Sequence, residues 1–302
     1  MVRPKQIIYP LRYFGFSAVD NTLTTQAFEE HLTSFLGGNG RIRAIGRARG
    51  GLYLLTKLAL RDRRRKVILS PYTIPDVVNM VRWAGGEPVF VDCYPDSTNI
   101  DLENLYSLID EATCCVLITH YHFNQNALNE IRELCLSKDI MLVDDCALAF
   151  RGMPASAGTG GTTDASVFSF SGFKTLNFVW GGAIKTTSSE LMRSLNEEID
   201  KWPRLRLAQY SKQIVRIMKY DLLSRNAIFS ALTFPLLKRR ALRSEQEVLP
   251  LARAESDGLD TTILSRPSRQ AIRELDRKLG TVESFARHRW SASRYLPGVR
   301  CR

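Results

Sequence analysis

Six short stretches in the first two-thirds of the chain are apolar without alternation: 66–70 (K-V-I-L-S), 88–92 (P-V-F-V-D), 114–119 (C-C-V-L-I-T), 140–145 (I-M-L-V-D-D), 165–170 (A-S-V-F-S-F) and 181–186 (G-G-A-I-K-T). Continuous runs, as opposed to alternating ones, mark strands buried on both faces. Between them, apolar residues recur at helical spacing near 51–61, 74–85, 101–111, 126–137 and 188–201. Strand–helix alternation of this kind predicts an α/β fold, with a mostly parallel sheet and helices on both sides. Ligands of such sheets bind outside the carboxyl ends of the strands, and Asp145 and Ser169 fall at those ends.

The pattern changes after about residue 200. Segment 201–245 is basic, aromatic and helical in period. Segment 246–267 reads as loop, with Pro250, Gly258 and Pro267, and 268–290 reads as one more amphipathic helix through Ile272, Leu275, Leu279 and Phe285. The expected division is therefore a large α/β domain over 1–200 and a helical segment over 201–302. There are no internal repeats and no low-complexity tracts.

Composition adds two constraints. The 302 residues carry a net charge of +11, with local basic clusters at 61–66, 201–219 and 238–243. None of these holds a nucleic-acid-binding motif, so a solvated basic face is favoured over a nucleic-acid surface. A basic amphipathic anchor over 201–245 at a membrane surface is a lower-ranked rival. The six cysteines (Cys93, Cys114, Cys115, Cys135, Cys146 and Cys301) form no C-x-x-C pair and mostly lie in apolar runs. They read as reduced thiols of a cytoplasmic protein, with neither a disulfide framework nor a zinc site. The N-terminus lacks a signal-peptide core, and stretch 220–237 is interrupted by Asp221, Arg225, Asn226 and Pro235, so it is not expected to span a membrane.

Candidate chemistry sits on the strand ends. The run I-M-L-V ends in Asp144 and Asp145, and V-F-S-F-S-G-F-K places Lys174 five residues after Ser169. A strand-end carboxylate and a lysine past the next strand match what pyridoxal phosphate needs: an amine to hold its aldehyde and an anion to keep its ring nitrogen protonated. The segment G-R-A-R-G-G-L (46–52) puts Gly50 and Gly51 at the start of an apolar helix, where backbone N–H groups can hold a phosphate. Each feature has a plainer reading alone: a turn, a helix cap, a solvated lysine. Their order and spacing together carry the argument. His120 and His122 form an H-x-H, but no acidic or cysteine ligand lies at metal spacing nearby, so no metal site is expected.

Over residues 41–190 the chain resembles the DegT/DnrJ/EryC1/StrS family of sugar aminotransferases, pyridoxal phosphate enzymes of fold type I. The matching stretches are R-A-R-G-G-L (47–52), S-P-Y-T-I-P (70–75), A-G-G-E-P-V-F-V-D-C-Y-P-D-S-T-N-I-D (84–101), T-H-Y (119–121), D-D-C-A (144–147) and S-F-S-G-F-K with G-G-A-I (169–184). The resemblance implies that Lys174 is the Schiff-base lysine and general base. It implies further that Asp145 pairs with the pyridinium nitrogen, and that Ser169 and the backbone at Gly50 and Gly51 hold the phosphate. It also implies an amino-acid donor, typically glutamate, a nucleotide-linked keto-sugar acceptor, and a homodimer.

Three positions depart from the family pattern. Leu148 stands where a glutamine contacts the cofactor, Ile74 where an aromatic ring stacks on it, and Trp180 where small or polar residues are usual. Lys174 is kept, which separates the chain from the family's dehydratase branch, where histidine replaces it. The family's helix equivalent to 268–290 leads into a small domain, and the sequence ends about where most of that domain is expected. A non-catalytic homologue that keeps the fold is the alternative these departures favour.

Overall fold

The structure is a computed structural model that describes residues 24–120, 128–148, 163–171, 174, 176, 179–223, 225–243, 258–259 and 261–293. Expectations for His122, for Gly172 and Phe173 of the S-G-F-K run, for the start of helix 126–137 and for Cys301 lie outside the described residues. The described chain divides into two compact units. One holds 24–205 and 258–293, and the other holds 206–243.

The larger unit is built on a seven-stranded sheet: β1 (Arg41–Ile45), β2 (Lys66–Leu69), β3 (Glu87–Phe90), β4 (Thr113–Thr119), β5 (Met141–Asp145), β6 (Ala165–Ser169) and β7 (Gly182–Thr186). The strand order is β1-β7-β6-β5-β4-β2-β3. Pairs β2/β3, β2/β4, β4/β5 and β5/β6 are parallel, whereas β7 runs antiparallel to both β6 and β1. Each of the six apolar runs overlaps one of the strands β2–β7, with β3 and β4 each beginning one residue earlier than the run. The seventh strand, β1, is R-I-R-A-I at the sheet edge, where arginines interrupt the apolar signal.

Alternation along the strands sorts two cores onto the two faces. Val67, Leu69, Cys115, Leu117, Val143 and Val167 pack with α2 (Ala48–Ala59), α3 (Pro75–Trp83) and α6 (Ser189–Ile199). Their neighbours Ile68, Val116, Ile118 and Leu142 pack with α4 (Leu102–Leu108) and α5 (Leu128–Ser137) on the opposite face. Caps fix where helices begin. Thr24 accepts from Ala27 N–H ahead of α1 (Thr25–Phe35), Asp101 accepts from the N–H groups of Glu103 and Asn104 at α4, and Ser188 accepts from Leu191 N–H at α6. Pro75 opens α3, and Gly85, at φ +94°, closes it in a conformation that suits glycine.

The expected late helix is α9 (Arg269–Ser293), which in chain order follows α7 (Leu207–Leu223) and α8 (Phe234–Arg243) of the smaller unit. Ala271, Ile272, Leu275 and Leu279 are buried along one stripe, and Asp276 lies 2.7 Å from His31 of α1. This helix thus belongs with the α/β unit.

The smaller unit contains α7 (Leu207–Leu223), a short helical turn (Asn226–Ile228), a π-helical segment (Phe229–Thr233) and α8 (Phe234–Arg243). Thr233 Oγ1 donates to Leu223 O at 2.8 Å, which ties the end of α7 to the segment that follows. Among the described residues, no helix is long and apolar enough to cross a membrane.

Candidate active site

Parallel pairing brings the carboxyl ends of β2, β4, β5 and β6 to one edge of the sheet. Thr119 lies beside Asp145, and Asp145 beside Val167. Strand β7, antiparallel to its neighbours, contributes its amino end: Gly182 pairs with Ile45, the last residue of β1, and with Ser169. The start of α2 therefore opens at the same edge as Asp145 and Ser169.

Adjacent Asp144 and Asp145 point to opposite faces and have different surroundings. Asp144 is fully buried on the α4–α5 face. Its Oδ1 lies 2.7 Å from His120 Nε2, and its Oδ2 accepts from Thr163 Oγ1 at 2.7 Å and from Ser166 Oγ at 3.4 Å. This carboxylate is saturated by protein groups. Asp145 shares the parity of Val143 and faces the α2 side. Its Oδ1 accepts the Ala147 N–H at 3.0 Å. Burial pushes its pKa above the usual carboxylate range, while the Ala147 N–H, Lys174 and His120 pull against that rise.

Lys174 follows β6 and is half-buried. Burial lowers its pKa below that of a free lysine, and the charge on Asp145 partly restores it. An amine of this kind is uncharged over a wider pH range than a surface lysine and is poised for nucleophilic work. Ser169 is buried at the end of β6, with Oγ 3.4 Å from Ser171 Oγ.

Gly50 and Gly51 lie in the first turns of α2, both buried. A Cβ on Gly50 would stand 2.4 Å from Ile263 O, and one on Gly51 2.9 Å from Ile45 Cδ1. Their lack of a side chain lets the helix pack against its neighbours. The Gly50 N–H donates to Arg47 O at 3.1 Å. The N–H groups nearest the open helix end belong to Ala48 and Arg49, and Arg47 in the N-cap position has no side-chain oxygen to accept from them. The Arg47 guanidinium lies 4.2 Å from the centre of the Trp180 ring, and Arg49 Nη1 lies 3.0 Å from Asp76 Oδ2 at the start of α3. Ile74, in the N-cap position of α3, and Leu148, beyond β5, are both exposed.

The structure also gives a role to His120, which sequence reasoning counted in the T-H-Y match and weighed as a metal ligand without assigning it a function. Its backbone N–H donates to Asp145 O at 3.0 Å while its ring holds Asp144, so it braces both aspartates. The register Thr119–Asp145 is the signal that puts His120 there. Among the described residues, no group of three or more His, Cys, Asp or Glu side chains is arranged to hold a metal ion.

The model of the DegT/DnrJ/EryC1/StrS aminotransferase family matches residues 18–202. The chain belongs to this family. Among curated relatives, the UDP-4-amino-4,6-dideoxy-N-acetyl-beta-L-altrosamine transaminase of Helicobacter pylori is 30% identical over 166 residues, which is 54% of this chain and 44% of that protein. Among solved structures, DesI in the presence of its TDP-sugar product is 28% identical with a TM-score of 0.51, covering 58% of this chain and 44% of that one. The Bacillus subtilis protein ntda, solved with bound cofactor PMP, is 22% identical with a TM-score of 0.51, covering 58% of this chain and 39% of its own; at that identity the likeness shows the fold alone. The expected type-I fold holds for the α/β unit. The chain spans about half or less of the length of the curated relatives that it matches.

Proposed function

We propose that this chain is a pyridoxal phosphate-dependent aminotransferase that moves an amino group from glutamate to a nucleotide-linked keto-sugar. The observation that carries the reading is that Lys174, just past β6, and Asp145, at the carboxyl end of the adjacent β5, lie close enough for each charge to act on the other. One is a half-buried amine whose pKa burial holds down; the other is a buried carboxylate whose charge acts on it. The residues fit the cofactor: a nucleophilic amine, an anion for a ring nitrogen, and a helix N-terminus for a phosphate. Family membership and the names of the relatives support the substrate class.

When bound, the cofactor supplies an aldehyde that accepts an amine and a ring that draws electrons from the bond being broken. Lys174 Nζ would hold the cofactor and move the proton to and from the substrate carbon. Asp145, oriented by the Ala147 N–H, would supply the negative charge for the ring nitrogen. Ser169 and the first N–H groups of α2 would hold the phosphate. Asp144 and His120 keep the strand end in register. The protein is further proposed to be a cytoplasmic homodimer, and sedimentation of the fully loaded protein as a monomer would remove that part.

The decisive experiment loads the purified protein with pyridoxal phosphate, fixes it with borohydride and maps the modified peptide by mass. The expected label is on Lys174, and Lys174→Ala should abolish it and lower turnover by at least about 10²-fold. Labelling elsewhere, or Lys174→Ala with half of wild-type turnover, would overturn the assignment. Incubation with glutamate and a panel of nucleotide keto-sugars should then release 2-oxoglutarate. One observation favours a second reading, a homologue that binds the cofactor without turnover: Ile74 and Leu148 place exposed apolar groups where the resemblance puts cofactor contacts. Labelled Lys174 with no 2-oxoglutarate formed from glutamate, whichever keto-sugar is added, would select that reading.

A further inference from the structure

The smaller unit concentrates the chain's charge. Residues 206–243 contain nine Lys and Arg against the single acid Asp221, a net of +8 out of the chain's +11. The same unit exposes large apolar side chains. Leu232 is 51% exposed, Phe234 52% and Leu236 51%, and Val215 and Leu222 are exposed as well. These groups are ordered relative to the cations. Leu232, Leu236 and Arg239 follow one another at steps of four and three, and Phe234 and Lys238 are four apart. Arg225, Lys238 and Arg239 are all exposed at the ends of this apolar stretch. The π-helical turn at 229–233 and the Thr233–Leu223 hydrogen bond hold it against the end of α7.

We propose that the unit 206–243 is a peripheral docking surface for an anionic lipid bilayer. Exposed apolar side chains flanked by cations, with one acid among them, match the interface of such a bilayer, where apolar groups enter the headgroup boundary and Lys and Arg meet anionic headgroups. Duplex nucleic acid would use the cations but leave Leu232, Phe234 and Leu236 in water. An association of this kind would lie in the plane of the surface.

The test is sedimentation of the whole purified protein with vesicles of phosphatidylcholine alone or of phosphatidylcholine containing one-third phosphatidylserine. Binding is expected only to the anionic vesicles and should weaken as salt rises. Each cation near such a surface contributes about fivefold, so Lys238→Gln with Arg239→Gln should lower partitioning about 30-fold. Leu232→Ser with Leu236→Ser should lower it as well. These residues are exposed, and unchanged circular dichroism and melting would show that the variants fold. Equal binding to neutral and anionic vesicles overturns the proposal, as does insensitivity to both pairs of substitutions. So does a preference for duplex DNA over anionic vesicles, or a self-association that the leucine pair abolishes while vesicle binding persists.

Discussion

Two neighbouring aspartates illustrate how much one residue of register decides. Strand-end position alone does not separate Asp144 from Asp145; only the family resemblance singles out Asp145. The structure turns Asp144 into a closed network with His120, Thr163 and Ser166, and leaves Asp145 with one backbone donor and the field of Lys174. The expected outcome of Asp144→Asn is therefore a loss of stability of about 1–3 kcal/mol, seen in denaturant melts, with Lys174 still labelled by the cofactor. Asp145→Asn should leave stability nearly unchanged and weaken cofactor binding instead. It should also shift the pH at which Lys174 reacts. Burial lowers the Lys174 pKa and Asp145 raises it, so removing that charge should move the midpoint of amine reactivity to still lower pH in the cofactor-free protein. The linkage has a definite sign. The folded chain holds the Lys174 proton less tightly than the unfolded chain does. The group thus costs stability below its folded pKa, and the cost fades as pH rises toward the value of a free lysine. A midpoint that moves upward in Asp145→Asn, or equal effects of both substitutions on cofactor binding, would reverse the roles.

Elements were legible where their signal is local, and less so where tertiary packing decides. Six strands and the helices between them follow from apolar runs and helical periods, because parallel strands buried on both faces leave no polar alternation to confuse them. Strand β1 and helix α1 escaped: β1 is a short edge strand with two arginines, and α1 is docked by contacts far along the chain, including His31 with Asp276. The glycines show the same limit. Gly50 and Gly51 suggest a phosphate loop, yet the structure uses their missing side chains for close packing against Ile263, Ile45 and Ile184. Gly182 lies nearer the helix opening. A Cβ there would meet Ala48 N at 2.6 Å and Phe168 O at 2.9 Å, all backbone that can yield only by moving α2 off the strand. Gly182→Ala is expected to lower stability by about 1–3 kcal/mol. Because the same shift moves the N–H groups at the helix start, cofactor affinity should fall more than Asp144→Asn lowers it. Titration of cofactor into both variants checks this, and unchanged affinity in Gly182→Ala would detach the helix start from the cofactor.

At the scale of the whole molecule, the sequence places a change of character near residue 200. The structure draws the larger unit as 24–205 together with 258–293, with 206–243 as an excursion. Periodicity shows helices on both sides of that excursion but not which of them share a core, because that depends on long-range contacts such as the buried stripe of α9. The two ends of the excursion are tied within the larger unit. Leu205 N–H donates to Arg266 O at 3.1 Å, Arg266 N–H to Pro203 O at 2.8 Å, and Arg266 Nε to Trp202 O at 2.9 Å. The hydrophobic clusters on the two faces of the sheet draw their described members from outside 206–257. A chain in which a flexible Gly/Ser linker replaces 206–257 should therefore fold, melt within about 4 °C of the full chain and accept the cofactor on Lys174 to the same extent. It should also lose a net charge of +5 out of the chain's +11, and with the exposed groups of 206–243 any affinity for anionic vesicles. Failure to fold would show that the excursion is part of the core. A shortened protein that folds and loads the cofactor but still binds anionic vesicles would place the lipid-binding surface elsewhere on the chain.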